Sequence, residues 1–434
     1  MSKPVFVISS PYDTYSGYGA RARDIIQAIL NLDKYDVKLL PQRWGSTAWG
    51  FCEDNPEWNH LHQYKLDSPT LNGKPDIWMQ ISIPNEFQPI GKYNIGVTAG
   101  IESDLCKAEW IEGLNRMNMN WVSSNFAKQT FENSKFEKRS KKTNNVLESF
   151  EGYVQLEKPI EVVFEGANLD VYKHIEPKEI KTINLDEIKE SFCYLFVGHW
   201  MGGDFGHDRK NVSLLVKSFY EVFKDKPQKP ALILKASIGI ASYISRDEIL
   251  DRIKNIRESV NSTNLPNIYV LNGEFSDGEM NELYNHPKVK AMLSFTKGEG
   301  YGRPLLEFSL TGKPIIASGW SGHTDFLKQN LSTLIPGELE NVHPSAANDW
   351  LMKESKWFKP STVEIGRHLK DSYNKYKQYV LGGKQQKQYS KSNFSFEKMQ
   401  ELISTILEKN VPEFPKQVEL VLPKLTLPKL KKIE

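Results

Sequence analysis

Short apolar runs alternate with amphipathic stretches along the chain, beginning close to its first residue. In the first part of the chain, these runs predict β-strands at residues 4–10, 36–40, 76–81, 94–98, 120–123 and 161–164. Residues 20–30 place Ile25, Ile26, Ile29 and Leu30 on one side, which predicts an amphipathic helix. A strand, a glycine-containing loop and a helix in this order are typical of the opening of a doubly wound α/β domain.

A second unit with the same alternation follows later in the chain. Its predicted strands are residues 192–198, 231–235, 268–271, 291–295 and 314–317, and its predicted helices are 211–223, 245–259, 277–284 and 304–311. This alternation predicts a second parallel sheet with helical crossovers. The polar stretch 172–190 is the predicted linker, so we expect domains at residues 1–175 and 190–385.

The last part of the chain changes character twice. Residues 394–408 have the apolar spacing of an amphipathic helix, with Phe396, Met399, Leu402, Ile403, Ile406 and Leu407 on one side. Beyond it, residues 411–434 repeat L-P-K-L twice, and the prolines exclude a helix. We expect an extended basic tail there, either strapped onto the body or available for docking.

The most informative stretch of polar residues lies around a glycine-rich turn. Between residues 298 and 310 the chain reads G-E-G-Y-G-R-P-L-L-E-F-S-L, with Glu299 in the turn and Glu307 on the helix that Pro304 opens. Amides at a helix start reached through glycines bind anions, and neighbouring carboxylates suit sugar hydroxyls. The pattern therefore indicates a nucleotide-sugar, although two glutamates at this spacing also occur by chance.

The wider string is more specific. E-G-Y-G-R-P-L-L-E followed by G-K-P-I-I-A-S-G resembles the signature of the retaining GT-B glycosyltransferases of family 4. Residues 121–126 (W-V-S-S-N-F), 160–172 (I-E-V-V-F-E-G-A-N-L-D-V-Y) and 194–219 resemble further segments of that family, strongly after residue 192 and weakly before residue 93. The resemblance implies two Rossmann-like doubly wound domains facing across a cleft, with a helix at residues 390–410 crossing back to the first domain.

The cationic candidates stand directly before a predicted helix. In D-R-K-N, Arg209 and Lys210 add their charges to the positive end of the helix dipole. The resemblance implies that both bind the donor diphosphate. Arg209 is expected to replace an arginine that the family carries where this chain has His199.

The resemblance also assigns the other donor contacts. It implies that Glu299 binds the hydroxyls of the donor sugar, that Glu307 binds the ribose, and that Phe275 borders the nucleobase. For Phe275, a place in the hydrophobic core explains the sequence equally well. The residues expected to line the phosphate and sugar with backbone are Gly300, Tyr301 and Gly302. Gly17 and Gly19 are expected to let backbone approach the donor or acceptor, but a flexible turn would also explain them.

The reaction implied by the resemblance is glycosyl transfer with retention by front-face attack, and Glu299, Lys210 and Arg209 are the expected catalytic residues. No D-x-D motif or acidic cluster stands in the chain, so we expect no required metal and no cofactor beyond the nucleotide-sugar. Family members often carry a histidine near residues 96–103. Here that stretch reads G-V-T-A-G-I-E-S, which leaves Glu102 or Thr98 as candidates for the first-domain role.

Charge and composition exclude few classes of binding partner. With 56 basic and 54 acidic residues among 434, the whole chain gives no reason to expect nucleic acid. Residues 135–142 hold five basic side chains and one acid, which favours a solvated loop over a polyanion contact. Three scattered cysteines and the absence of a signal or membrane segment predict a cytoplasmic protein.

Several alternatives stay open at this stage. A GT-B nucleotide-sugar epimerase or phosphorylase, and a non-catalytic nucleotide-sugar or polyanion-binding protein, share parts of the pattern. The acceptor is a glycan, a lipid-linked glycan or a hydroxylated base in DNA, the last through the basic segments 135–142 and 411–434. The tryptophan-rich piece 44–58 is core filler, a ligand platform or an irregular excursion, with half-buried packing favoured.

Overall fold

The computed structural model describes residues 3–71, 73–142 and 146–414, and most of its strands belong to two parallel sheets. The first sheet comes from the strands β1 (Val5–Ser10), β2 (Asp36–Pro41), β3 (Ile77–Ile81), β4 (Tyr93–Val97), β5 (Met119–Val122) and β8 (Ile160–Val162); between the last two lies a hairpin of β6 (Phe136–Lys142) and β7 (Val146–Val154). The six sheet strands are ordered β2-β1-β3-β4-β5-β8. Every residue of β3 is buried, as expected where helices cover both faces of a parallel sheet.

The second sheet repeats this architecture with a different strand order. Its strands are β9 (Cys193–His199), β10 (Ala231–Ser237), β11 (Ile268–Leu271), β12 (Val289–Ser294), β13 (Ile315–Ser318) and β14 (Thr333–Ile335), in the order β11-β10-β9-β12-β13-β14. An antiparallel hairpin of β15 (Gly337–Asn341) and β16 (Lys356–Pro360) follows. In such sheets ligands bind at the carboxyl ends of the strands where the order reverses, here between β9 and β12.

Helices cover both sheets. They are α1 (Gly17–Asn31), α2 (Phe51–Asp54), α3 (Ala108–Asn115), α4 (Asn125–Asn133), α5 (Val212–Phe223), α6 (Tyr243–Glu258), α7 (Asp277–Asn285), α8 (Arg303–Ser309), α9 (Thr362–Asn374), α10 (Tyr376–Asn393) and α11 (Phe396–Asn410). The two doubly wound units confirm the predicted fold class. The domain boundaries proposed at residues 175, 190 and 385 stay predictions. Among the described residues, no helix combines the length and the apolar character needed to cross a membrane.

The crossover helix lies where it was expected. Met399, Ile403 and Leu407 of α11 belong to the same buried cluster as Ile25 and Ile29 of α1, in the core of the first domain. The side chains of Asn31 and Gln400 add a hydrogen bond of 2.8 Å between the two helices. The amphipathic pattern near the end of the chain therefore completes the core of the domain that begins it.

The two domains also touch directly on one side of the cleft. Ser124 Oγ donates to the carbonyl of Gly300 at 2.6 Å, and the amide of Lys356 donates to Asp104 Oδ1 at 2.6 Å. A β-carbon on Gly298 would lie 1.9 Å from the carbonyl oxygen of Glu102, so glycine is required for this approach. The glycine-rich turn of the second domain is thus pressed against the loop after β4.

Residues 136–142 of the basic segment form the strand β6, so the prediction of a loop was wrong, whereas the exposure of Lys135, Lys138 and Arg139 agrees with the predicted solvation. Phe136 pairs with Val154 and Arg139 with Phe150 in the β6–β7 hairpin, and the Lys135 ammonium lies 3.8 Å from the centre of the Tyr153 ring. Pairing with a strand that carries aromatic residues outweighs the unfavourable charge pattern. Because most residues of β6 are polar or charged, the strand has no apolar alternation by which the sequence could predict it.

The base of this hairpin lies away from the cleft. The carbonyl of Gln155, next to the end of β7, accepts a hydrogen bond from Asn115 at the end of α3, and β8 then starts at the amino-terminal edge of the sheet. The carboxyl ends of the strands, which face the cleft, are at the opposite edge. Of the predicted tail, residues 415–434 lie outside the described residues.

Candidate active site

A cavity of about 720 Å³ opens between the carboxyl ends of the two sheets. Its first-domain wall consists of Tyr15, Ser16, Gly17, Trp44 and residues 46–48. Its second-domain wall includes residues 197–202, Lys210, residues 235–240, Gly273, Glu274 and Pro304. The cavity therefore lies where the reversal of strand order in the second sheet predicts a ligand.

Lys210 and Glu299 form the charged centre at the edge of this cavity. Lys210 Nζ lies 2.6 Å from Glu299 Oε1 and 2.7 Å from Oε2. Arg209 Nη1 lies 3.6 Å from Glu299 Oε2 and 3.6 Å from Glu102 Oε1. The structure thus brings together two cations and two carboxylates from three loops that are far apart in the chain.

The start of α5 holds the two cations in place. Asp208 accepts hydrogen bonds from the Val212 amide at 2.7 Å and from Ser213 Oγ at 2.5 Å, so it caps the helix. Asn211 has a left-handed backbone with φ of 55°, and its side-chain amide donates to the carbonyl of Phe295 at the end of β12. The sequence D-R-K-N therefore fixes Lys210 against the loop that carries Glu299.

The electrostatics of Glu299 follow from these neighbours. Burial alone would raise the pKa of its carboxyl, but the charges of Lys210 and Arg209 outweigh burial and lower that pKa to about 2. The backbone amide of Glu299 is also fixed, because it donates to Ser321 Oγ at 2.9 Å. Glu299 is therefore an ionised and well-positioned hydrogen-bond acceptor at neutral pH.

Glu307 has a different environment. It is buried on α8, where Arg303 Nε donates to Oε1 at 2.8 Å and the Tyr284 hydroxyl donates to Oε2 at 3.2 Å. Burial raises the pKa of Glu307 to about 7, in spite of the opposing charge of Arg303. Arg303 also pairs with Asp24 of α1, so this group of buried charges connects the two domains.

The residues between the two glutamates contribute backbone rather than side chains. Tyr301 is 3 % exposed, and its ring packs against Phe326 with a centroid distance of 5.0 Å. Gly302 has a positive φ of 94° and directly precedes α8. A β-carbon on Gly300 would lie 2.6 Å from the carbonyl oxygen of Ala99. Residues 300–302 are not among those that line the cavity, so the expected contact of their backbone with the donor stays a prediction.

The glycines near the start of the chain have different positions. Gly17 lines the cavity, and a β-carbon there would meet nothing within 4 Å. Gly19 is buried behind the loop, where a β-carbon would lie 2.4 Å from the Thr14 carbonyl oxygen. Gly19 is thus a close-packing position, and Gly17 is the one that faces the cavity.

Lys235 lies at the far end of the cavity and was not predicted from the sequence as a site residue. Its ammonium donates to the Gly273 carbonyl at 2.6 Å and lies 4.6 Å from the centre of the Phe275 ring. Gly273 and Glu274 line the cavity, whereas Phe275 is half-buried behind them. A lysine at the carboxyl end of an otherwise apolar strand was the available signal.

The candidates for the first-domain role also have defined places. Thr98 is buried and shares a hydrogen bond of 2.9 Å with the Tyr18 hydroxyl. Glu102 is partly exposed and faces Arg209. Tyr18 stacks on Trp44 and was not singled out from the sequence, whereas Trp44 belongs to the tryptophan-rich piece 44–58, for which a ligand platform was one of the alternatives.

Comparisons with known proteins identify the architecture. No protein-family model matches the chain, and no curated protein matches it. A glycosyltransferase from Rickettsia africae ESF-5 superposes with a TM-score of 0.62 at 13 % identity, covering 95 % of this chain and 99 % of that one.

Two further solved structures are similar over nearly their whole length. Anabaena HepE in complex with UDP and glucose superposes with a TM-score of 0.59 at 13 % identity, covering 94 % of this chain and 100 % of that one. Sucrose-phosphate synthase from Thermosynechococcus elongatus gives 0.59 at 12 % identity, with 94 % and 98 % covered. At these identities the likeness concerns the fold, and the chain therefore has the GT-B fold of two Rossmann-like domains facing across a cleft.

Proposed function

We propose that this protein is a retaining glycosyltransferase of the family 4 type, which moves a sugar from a nucleotide-sugar to an acceptor hydroxyl. The observation that carries the proposal is the Lys210–Glu299 pair, flanked by Arg209, at the edge of the interdomain cavity. Cations for a diphosphate and a carboxylate for sugar hydroxyls thus stand side by side. A similarly folded protein, HepE, was crystallised with UDP-glucose, which supports this class of ligand.

We assign the donor one direction along the cavity. Its diphosphate is assigned to Lys210 and Arg209, and its sugar to Glu299 and the backbone of residues 300–302. The nucleoside then extends toward Lys235 and Gly273 at the far end. Glu307, held by Arg303 and Tyr284, is assigned to the ribose hydroxyls.

The low pKa of Glu299 argues for orientation rather than proton transfer. A carboxylate with a pKa of about 2 is a weak base, and its two oxygens are already engaged with Lys210. In the proposed reaction the bond from the anomeric carbon to the diphosphate oxygen breaks, and the acceptor oxygen attacks from the same face. The acceptor proton passes to the departing diphosphate, whose charge Lys210 and Arg209 stabilise.

The same two cations make a metal unnecessary in this proposal. Lys210 and Arg209 supply fixed positive charge at the position where a metal would otherwise neutralise the leaving group. We therefore expect turnover to persist after treatment with excess EDTA and to show no increase when Mg²⁺ or Mn²⁺ is restored. Loss of activity with EDTA and recovery with either metal would contradict this part of the proposal.

The test of the function is donor turnover by the full-length protein. A panel of nucleotide-sugars with different sugars and bases is incubated with wild type, Glu299→Ala and Lys210→Ala, and release of the nucleotide is measured. We expect at least one donor to be hydrolysed by wild type and much more slowly by both variants. Failure of every donor to bind or react would overturn the proposal.

The products separate the rival enzyme classes. An epimerase would convert the donor into its isomer without releasing nucleotide, and a phosphorylase would require inorganic phosphate. A binding protein would retain the donor unchanged. Once an acceptor is known, the NMR coupling constant of the anomeric proton in the product distinguishes retention from inversion.

The acceptor class is tested separately. A glycan, a lipid-linked glycan and a hydroxylated DNA base all carry a suitable hydroxyl. If DNA is the acceptor, duplex binding should weaken steeply as salt rises, because phosphate contacts release counterions. No binding at low salt would remove DNA from the candidates.

A further inference from the structure

Trp44 forms an aromatic platform in the first-domain wall of the cavity. Its ring stacks on Tyr18 with a centroid distance of 3.9 Å and an interplanar angle of 23°. Tyr18 covers one face of the indole, and Trp44 is half-buried and lines the cavity. The opposite face is therefore the one available to a ligand.

The platform is fixed from behind and from the side. The Tyr18 hydroxyl shares a hydrogen bond of 2.9 Å with Thr98 Oγ1 and accepts another of 3.1 Å from the Ala99 amide. On the loop of Trp44 itself, Thr47 donates to the Trp44 carbonyl from both its hydroxyl and its amide. A platform with this support binds a flat partner with little loss of conformational freedom.

The platform is also joined to the loop that carries Glu299. The carbonyl of Ala99 accepts a hydrogen bond from Ser123 Oγ at 2.6 Å, and Ser123 and Ser124 both donate to the carbonyl of Gly300. Trp44, Tyr18, the 98–99 backbone and Gly300 thus form one continuous set of contacts. These contacts tie the position of the Trp44 ring to the loop that carries Glu299, the residue assigned to the donor sugar.

The first-domain wall suits a neutral ring. Its lining residues are Tyr15, Ser16, Gly17, Trp44, Ser46, Thr47 and Ala48, and none of them is charged. Arg43 is next in sequence, but its guanidinium lies 5.8 Å from the ring of Trp49. An indole together with hydroxyl-bearing side chains in the same wall matches a ring that has an apolar face and hydroxyls at its edge.

We propose that the free face of Trp44 binds the neutral ring that carries the acceptor hydroxyl. This inference rests on the proposed transferase function and adds the chemical class of the second substrate. A sugar ring and a hydroxymethylated pyrimidine share that chemistry, and the test distinguishes these two sources.

The experiment uses the full-length protein with the nucleotide-sugar that it hydrolyses fastest. Methyl glucosides and 5-hydroxymethyl-2′-deoxycytidine serve as ring probes, and sorbitol serves as an open-chain polyol without a ring face. The KM for each probe and the KM for the donor are measured in wild type, Trp44→Ala, Trp44→Phe and Trp49→Ala. Trp49 is the matched control, because it lies on the same loop and does not line the cavity.

We expect Trp44→Ala to raise the KM for one ring probe about tenfold, consistent with the loss of an aromatic stacking contact. Trp44→Phe should retain most of the affinity for the ring probe. If Trp44→Ala does not fold, the ring KM is compared between wild type and Trp44→Phe. The sorbitol and donor KM values should change several-fold less than the ring KM. The ring probe that shows the effect identifies the source.

Three results would overturn the proposal. They are an unchanged ring KM in Trp44→Ala, an equal rise in Trp49→Ala, and a wild type that no ring probe saturates while donor hydrolysis proceeds. A wild type that hydrolyses no donor fails before any ring probe is added, and that result concerns the transferase proposal instead.

Discussion

The two walls of the cavity differ in chemistry and in origin. The second-domain wall includes Lys210, Lys235 and Glu274, whereas the residues lining the first-domain wall are uncharged. The charged wall is built from strand ends and a helix start that belong to the repeated architecture of the domain. The neutral wall is built from residues 15–17 and from the loop that carries Trp44 and residues 46–48. Under the proposed function, this difference assigns the charged wall to the donor and the neutral wall to the acceptor ring.

Substitution of Lys210, a cation of the charged wall, should have the largest effect on turnover. We expect Lys210→Ala to lower turnover of the donor by about 100- to 1000-fold, because the departing diphosphate loses a fixed positive charge. Release of nucleotide measured at saturating donor checks this. Lys254→Ala, an exposed lysine on α6, is the control and should behave as wild type. Equal turnover in the two variants would remove Lys210 from the site.

Substitution of Glu299 should have the second largest effect on turnover. Glu299→Gln keeps the shape of the side chain but removes the charge that pairs with Lys210 and is assigned to the sugar hydroxyls. We expect turnover to fall about 100-fold, while the melting temperature changes by only a few degrees. Steady-state kinetics and thermal unfolding on the same samples separate these effects. A variant that unfolds at room temperature would show that Glu299 is chiefly structural.

Glu307 should produce a smaller and different effect. Because it is assigned to the ribose, we expect Glu307→Ala to raise the donor KM about tenfold and to lower kcat by less than about threefold. Initial rates over a range of donor concentrations measure both constants, with the exposed Glu258→Ala as control. A loss confined to kcat would instead place Glu307 at the reacting sugar.

The smallest expected effect concerns pH. The pKa of Glu307 is about 7 in the folded protein against an ordinary value of 4.5, so the folded state holds this proton more tightly than the unfolded chain. Its contribution to stability is therefore complete below about pH 4.5 and is lost as pH rises through 7. We expect the melting temperature between pH 5.5 and 8 to fall more in wild type than in Glu307→Gln. Parallel curves for the two proteins would show that another group dominates.

Five of the six strands of the second sheet were predicted from the sequence, and the three-residue strand β14 was missed. Its buried parallel strands read as continuous apolar runs, and β11 was predicted with its observed bounds. The motif residues Lys210 and Glu299 were both singled out, because each stands in a recognisable local string. In this domain local pattern and tertiary structure agree.

The contacts between the domains could not be predicted in the same way. Asp24 is a single acid on the helix α1, and only the folded chain shows that Arg303 is its partner. The stacking of Trp44 on Tyr18 likewise depends on a loop whose path has no periodic signal. The β6–β7 hairpin was missed because its strands are stabilised by each other rather than by an apolar face. The spacing of neighbouring residues in the sequence does not predict long-range pairs of this kind.

The position of α11 has a consequence for how the chain is made. Met399, Ile403 and Leu407 fill the core beneath α1, yet they are synthesised almost four hundred residues after the strand β1. Domains generally fold in order from the amino terminus during synthesis. Here the first domain lacks part of its interior until residues 399–407 of α11 have been made. The strands of the second domain precede α11 in the chain, so α11 completes the first domain only after those strands have been made.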